Sequence, residues 1–113
     1  MDSSTAARIF HDWAFGEGLM DNASAVTVST AAEIALIENI TEKGAQILRQ
    51  KRIRAIGFND AIGCVVVFTK RAAPATKRQR ASLPQKVGDI EIAYRQGVPQ
   101  SIGNLNVANL LWQ

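Results

Sequence analysis

The sequence predicts an α+β fold: a small antiparallel sheet of three or more strands packed against a long helix, with an additional N-terminal helix. Three stretches carry that prediction. Thr30 followed by Glu33 has the form of a capping box, in which two side chains satisfy two backbone N–H groups at a helix start, and an apolar-periodic run comes after it. Cys64-Val65-Val66-Val67-Phe68 is continuous rather than alternating, as in a strand covered on both faces. Ile90, Ile92 and Tyr94 alternate with Asp89, Glu91, Ala93 and Arg95, as in a strand that is wet on one side.

The remaining elements follow in chain order. Ala6, Ile9, Phe10 and Trp13 fall at helical spacing, which predicts a first helix over 5–15 capped by Ser3 or Ser4 and stopped by Gly16 and Gly18. His11 lies off that apolar stripe and is expected at the surface. Ile34, Ile37, Ile40, Gly44, Ile47 and Leu48 share one face of a single long helix over 31–50. Glu33 in its first turn and Arg49, Lys51 and Arg52 at its end suit the helix dipole. Ile53–Phe58 and Cys64–Phe68 form a hairpin closed at Asn59-Asp60, with Cys64 as a small packing residue. From Lys70 to Gln85 two prolines and the loss of periodicity predict a loop. The tail grows apolar again at Leu105, Val107, Leu110, Leu111 and Trp112, which is unusual for a terminus. The chain thus divides into a helix and linker (1–29), an α+β body (30–100) and an apolar C-terminal segment (101–113) that could lead into a further domain.

Composition narrows the function. At 113 residues the chain is one domain by size, and no run of eighteen apolar residues predicts a membrane span. MDSSTAARIF lacks the basic and apolar regions of a secretory signal, and a lone cysteine makes the cytoplasm the default setting. Residues 1–48 hold seven acids and two bases, a net of −5; residues 49–113 hold eleven bases and three acids, a net of +8. Halves so unlike can attract each other, or the basic half can face an acidic partner. A single histidine leaves little room for a catalytic triad, and no nucleophile elbow, phosphate loop or metal-ligand spacing occurs. The residues alone therefore predict no catalytic set, no metal site and no cofactor.

The order of features from Glu33 to Asn104 resembles the small N-terminal domain of bacterial trypsin-like (chymotrypsin-fold) serine peptidases. The matching stretches are IRAIGFN, VVVFTKR, Leu83-Pro84, VGDIEIAYRQG and GVPQSIGN. The resemblance implies a non-catalytic accessory or regulatory domain whose triad lies downstream, and whose partner is a protease domain in cis or another protein. Trp13 and Phe15 of the first helix and Leu110, Leu111 and Trp112 of the tail are the candidate interface residues. Two other functions fit the residues. One is a small nucleic-acid-binding module using Arg52, Arg54, Lys70, Arg71, Lys77, Arg78 and Arg80; with no aromatic among those bases, it would bind phosphates rather than stack on nucleobases. The other is an adaptor that self-associates through the first helix or the tail.

Overall fold

The computed structural model describes residues 1–20, 28–72, 76–97 and 105–107. The first element, α1 (Ser3–Gly16), starts where the Asp2 carboxylate accepts the Thr5 N–H at 2.9 Å. Asp2 thus takes the capping role predicted for Ser3 or Ser4. Ser3 instead donates its hydroxyl to Asp60, 2.5 Å away in a distant turn. More than a stripe of α1 is buried: Ala6, Ala7, Ile9, Phe10, Trp13 and Ala14, and also His11 and Asp12. The sequence suggests a helix with one wet face; the structure makes it a core helix.

The single long helix over 31–50 is not formed. Thr30 and Glu33 do make both halves of the capping box, yet the helix they start, α2 (Ala31–Ile34), lasts one turn. A short strand, β1 (Ile37–Glu38), follows, and Asn39 then turns the chain at a φ of 66°. Asparagine tolerates that left-handed region better than most side chains. A second cap, the Thr41 hydroxyl accepting Gly44 N–H, opens α3 (Glu42–Lys51). Ile34, Ile37 and Ile40 share a helical spacing, but the spacing could not show that β1 finds a strand partner. Ile37 is buried in that pairing while Ile40 is 42% exposed.

The rest of the chain supplies β2 (Ile53–Asn59), β3 (Cys64–Thr69), α4 (Lys77–Ala81), β4 (Lys86–Val87), β5 (Ile90–Gln96) and β6 (Leu105–Val107). Among the described residues, six strands form one sheet in the order β1-β4-β5-β3-β2-β6. It is mixed, not antiparallel as the sequence predicts, because β3 and β5 run parallel, from Cys64 opposite Glu91 to Thr69 opposite Gln96. Parallel neighbours need a long crossover, and the segment between them is long enough to hold α4 and β4. The expected loop over 70–85 therefore contains a helix, and β4 begins directly after it. β3 lies between β5 and β2 and is buried from Val65 to Thr69, the environment that its continuous apolar run requires.

One face of the sheet carries the main core. Ile9, Phe10 and Trp13 of α1 meet Ile53, Ile56, Val65, Val67, Val87 and Ile90, with Leu48 and Leu83 closing the sides. Each such side chain contributes about 1.5–3 kcal/mol on burial. The helix that the sequence sets apart in 1–29 is therefore part of the same core as the strands. Trp13, a predicted docking residue, is only 6% exposed and packs edge-on against Phe10 with ring centroids 5.4 Å apart.

Gly44 marks the closest approach between α3 and the chain leaving α4. A methyl group there would fall inside the contact distance of the Ser82 carbonyl oxygen, itself held by the Thr41 hydroxyl at 2.7 Å. Alanine improves helix propensity by about 1 kcal/mol, whereas overpacking costs about 1–3 kcal/mol. Gly44→Ala should accordingly lower stability, by up to about 2 kcal/mol, despite the better helix former. Urea denaturation checks this; a stabilised variant would mean that Ser82 is free to move away.

Candidate nucleic-acid interface

The basic residues of the C-terminal half do not form one patch. One group gathers where α3 ends and the β2–β3 hairpin opens. Arg49 and Lys51 occupy the last turn of α3, where the helix dipole favours cations. Arg52 follows as the cap, its N–H donating to the Leu48 carbonyl at 2.8 Å. Two further backbone bonds draw in the far end of the hairpin: Lys70 N–H donates to the Arg52 carbonyl at 2.9 Å, and Arg71 N–H to that of Lys51 at 3.1 Å. The Thr69 hydroxyl, buried beneath, donates to the Arg71 carbonyl at 2.7 Å and steadies the exit from β3. Residues far apart in sequence, Lys51, Arg52, Arg54, Lys70 and Arg71, thereby come to one end of the sheet.

The backbone at this end is irregular in two places. Arg52 holds φ 64° and ψ 125°, a combination that side-chain-bearing residues rarely adopt and that costs about 1–3 kcal/mol. Two residues on, the pairing of β2 with β3 shifts register, so Ile53 faces Thr69 and Ala55 faces Phe68 while Arg54 has no register partner in β3. A shift of this kind bends the strand and re-aims the side chain at the extra residue. Arg54 is exposed.

Charge is also sorted along the strands. Arg95 stands opposite Phe68, next to the exit of β3, and so adds to the basic end. The three acids of this half lie at the other end: Asp60 in the β2–β3 turn, Asp89 in the β4–β5 turn, and Glu91 opposite Cys64. Six residues of strand separate them from the bases, about 20 Å. Among the described residues Arg54 and Arg71 pair with no carboxylate. Mutual neutralisation with the acidic half, one of the two expectations for the charge asymmetry, therefore does not reach these two side chains among the described residues.

The second group, Lys77, Arg78 and Arg80, is exposed on α4. Thr76 caps this helix by accepting the Gln79 N–H at 3.1 Å. Its far end is pinned: the Asn39 side-chain amide donates to the carbonyls of Ala81 and Leu83, each at 2.8 Å, and Leu83 and Pro84 are buried. Tyr94 completes the anchor with a 2.8 Å bond from its hydroxyl to the Pro84 carbonyl, and burial holds that hydroxyl in its neutral form by pushing its pKa up. This anchor sits at the N-terminal end of α3, so the two basic groups are about one α3 length apart, roughly 15 Å for a helix of ten residues.

Other predicted or titratable sites resolve differently. Phe15 is half-buried and stacks on His11 at 6.3 Å, while Leu110, Leu111 and Trp112 lie outside the described residues. His11, expected at the surface, is 5% exposed, and its Nδ1 lies 3.1 Å from the Asp12 carboxylate. The other Asp12 oxygen accepts two backbone N–H groups, from Val28 at 3.0 Å and Ser29 at 2.8 Å, so the acid ties that segment to α1. Burial alone would raise the Asp12 pKa, but hydrogen bonds from Ser29, His11 and Val28 hold it below the ordinary carboxylate value. Cys64 is half-buried, and burial pushes its thiol pKa up, away from a reactive thiolate. A shallow cleft of about 290 Å³ beside α3 is lined by groups of both signs, including Glu17, Glu42 and Arg49. Among the described residues, no group of three metal-ligating side chains converges and no helix is long and apolar enough to cross a membrane.

No family model and no solved structure matches the chain. An endonuclease MutS2 of Lactiplantibacillus plantarum is similar to it, 31% identical over 77 residues that cover 64% of this chain and 10% of that protein. The chain thus spans about a tenth of the length of this curated relative. This finding overturns the resemblance to a trypsin-like peptidase. The stretches that suggested it, IRAIGFN and VVVFTKR, are the paired strands β2 and β3 with the first residues beyond. Short β-branched runs suit any buried hairpin, and so they do not discriminate between families.

Asp12 yields a pH-dependent expectation. Its pKa is lower folded than unfolded, so its stabilisation is present above its ordinary value near 3.8 and disappears as pH falls through the depressed folded value. Asp12→Ala leaves two backbone donors unpaired and should cost about 2–4 kcal/mol at neutral pH. The gap between the variant and the wild type should narrow below about pH 4, as the native carboxylate protonates. Denaturant titrations at a series of pH values measure it, and a gap that stayed constant into acid would show that the charge is not what holds Val28 and Ser29.

Proposed function

We propose that this chain is a small basic module that binds nucleic acid through its phosphates, with Lys51, Arg52, Arg54, Lys70 and Arg71 as the contact surface. The observation that carries this reading is the pair of backbone hydrogen bonds from Lys70 and Arg71 to Arg52 and Lys51. They hold cations from two strands and a helix end against one another, although like charges repel. A polyanion offsets that repulsion on binding, and release of its condensed counterions supplies the affinity. Lys77, Arg78 and Arg80 on α4 form a second, more distant contact, and Arg95 borders the first.

Recognition of this kind reads the backbone, not the bases. The large apolar side chains exposed among the described residues are Met1, Val28, Leu36, Ile40 and Ile62, and none is an aromatic on which a base could stack. Support of a different kind comes from the partial similarity to a protein named as an endonuclease, which acts on nucleic acid. Such a partner fits a cytoplasmic setting.

The test is the salt dependence of binding to duplex DNA. Contact with about five phosphates should give a slope of log K against log salt near −4 to −5, little affected by base sequence. Arg71→Glu should flatten that slope by about 1 or more. Fluorescence anisotropy measures both. Absence of binding at low salt, or binding indifferent to salt, would remove the proposal.

A further inference from the structure

We propose that Asn39 is a positioning residue for nucleic-acid binding: its side-chain amide holds α4 in place, so that Lys77, Arg78 and Arg80 meet phosphates as a preformed second contact. The proposal rests on the nucleic-acid reading above. None of the side chains of α4 is buried, so apolar packing does not hold this helix. Its five residues fall far below the roughly 12–15 that an isolated helix needs in water, and Lys77 and Arg80, one turn apart, repel each other. What holds it is a set of donors at its far end, where a helix otherwise leaves carbonyls unsatisfied. Each carbonyl from Arg80 to Leu83 accepts from a side chain outside the helix: Asn39 donates to Ala81 and Leu83, Thr41 to Ser82, and Gln85 to Arg80 and Leu83. Asn39 reaches two of the four from the distant turn between β1 and α3. The crossover from β3 to β5 needs chain length, which an extended segment supplies as well as a helix. A helix that buries nothing, yet is bonded at every terminal carbonyl, presents its cations in a fixed arrangement. Among the described residues Lys77, Arg78 and Arg80 are exposed and pair with no carboxylate. An element ordered before binding loses less freedom on binding.

The test is a double-mutant cycle on the full chain, with a mixed-sequence DNA duplex as the probe and fluorescence anisotropy as the readout. Asn39→Gly removes the amide, keeps the positive φ without strain and leaves the net charge unchanged. It should weaken binding about three- to tenfold and shrink the salt slope by about 1, as for the loss of one phosphate contact. With Lys77, Arg78 and Arg80 all replaced by Gln, binding should be weaker still, and adding Asn39→Gly should then change nothing further. In an Arg71→Gln background, by contrast, Asn39→Gly should weaken binding by the same factor as in the wild type. Gln85→Ala, which takes the other amide from the same end of α4 without touching the Asn39 turn, should follow the same pattern. If the triple Gln variant weakens binding while Asn39→Gly and Gln85→Ala bind as the wild type does, the anchor does not position the cations and the proposal fails, with the nucleic-acid reading intact. If Asn39→Gly weakens binding equally with and without the α4 cations, it acts through the fold as a whole and the proposal also fails. If the triple Gln variant binds as the wild type does while Arg71→Glu does not, α4 is no contact and only the first basic group stands. If the wild-type chain does not bind the duplex, the nucleic-acid reading itself falls.

Discussion

Burial of α1 against β2 and β3 governs where the other elements can lie. Ile9, Phe10 and Trp13 fill the face formed by Ile53, Ile56, Val65 and Val67, and this contact joins the first residues of the chain to its centre. Because α1 occupies that face, α3 packs at the side, through Gly44 and Leu48. The same arrangement fixes the entry to β2, since Ile53 is held both by its burial and by the Leu19 carbonyl just beyond α1. The position of Arg52, a half-buried residue, is therefore a consequence of core packing.

Two kinds of polar contact complete what apolar burial cannot specify. The Asp12 carboxylate, buried on α1, secures Val28 and Ser29, and the nearby Arg8–Glu33 ion pair at 2.7 Å joins α1 to α2. Asn39 and Thr41 hold the chain leaving α4 by its carbonyl groups, donors meeting groups that a short helix leaves unsatisfied. Burial is insensitive to direction, whereas each of these bonds is directional and sets how one segment lies on the next. They explain why a stretch rich in lysine, arginine and proline, which resembles a solvated loop in sequence, forms a helix with an anchored end.

The electrostatic character of the protein follows from strand direction. β3 and β5 run parallel, so their ends coincide, and β2 returns beside them. Asp60, Asp89 and Glu91 fall at one end, while Arg54, Lys70, Arg71 and Arg95 fall at the other. An antiparallel pairing of β3 with β5 would have placed Arg95 near Cys64 and Glu91 near Thr69, mixing the signs. The parallel crossover is thus what turns an excess of bases in the sequence into a directed basic surface.

Much of the local structure was legible in the residues. The capping box at Thr30 and Glu33, the apolar run of β3 and the alternation of β5 are short-range signals, and short-range physics decides them. Some signals were present and outweighed: Thr41 followed by Glu42 marks a second helix start, and Asn39 a left-handed turn, but the spacing of Ile34, Ile37 and Ile40 pointed to one continuous helix. What no local pattern contains is pairing. Ile37 becomes a strand residue only because Val87 lies opposite, and β5 runs parallel to β3 only because the intervening chain crosses over. For the candidate site the division is the same. The sequence by itself determined that the C-terminal half is basic and which side chains carry the charge. Only the tertiary structure decided that Arg52, Arg54, Lys70 and Arg71 stand together while Lys77, Arg78 and Arg80 stand apart, because residues distant along the chain meet through backbone hydrogen bonds and buried contacts that exist only once the core has formed.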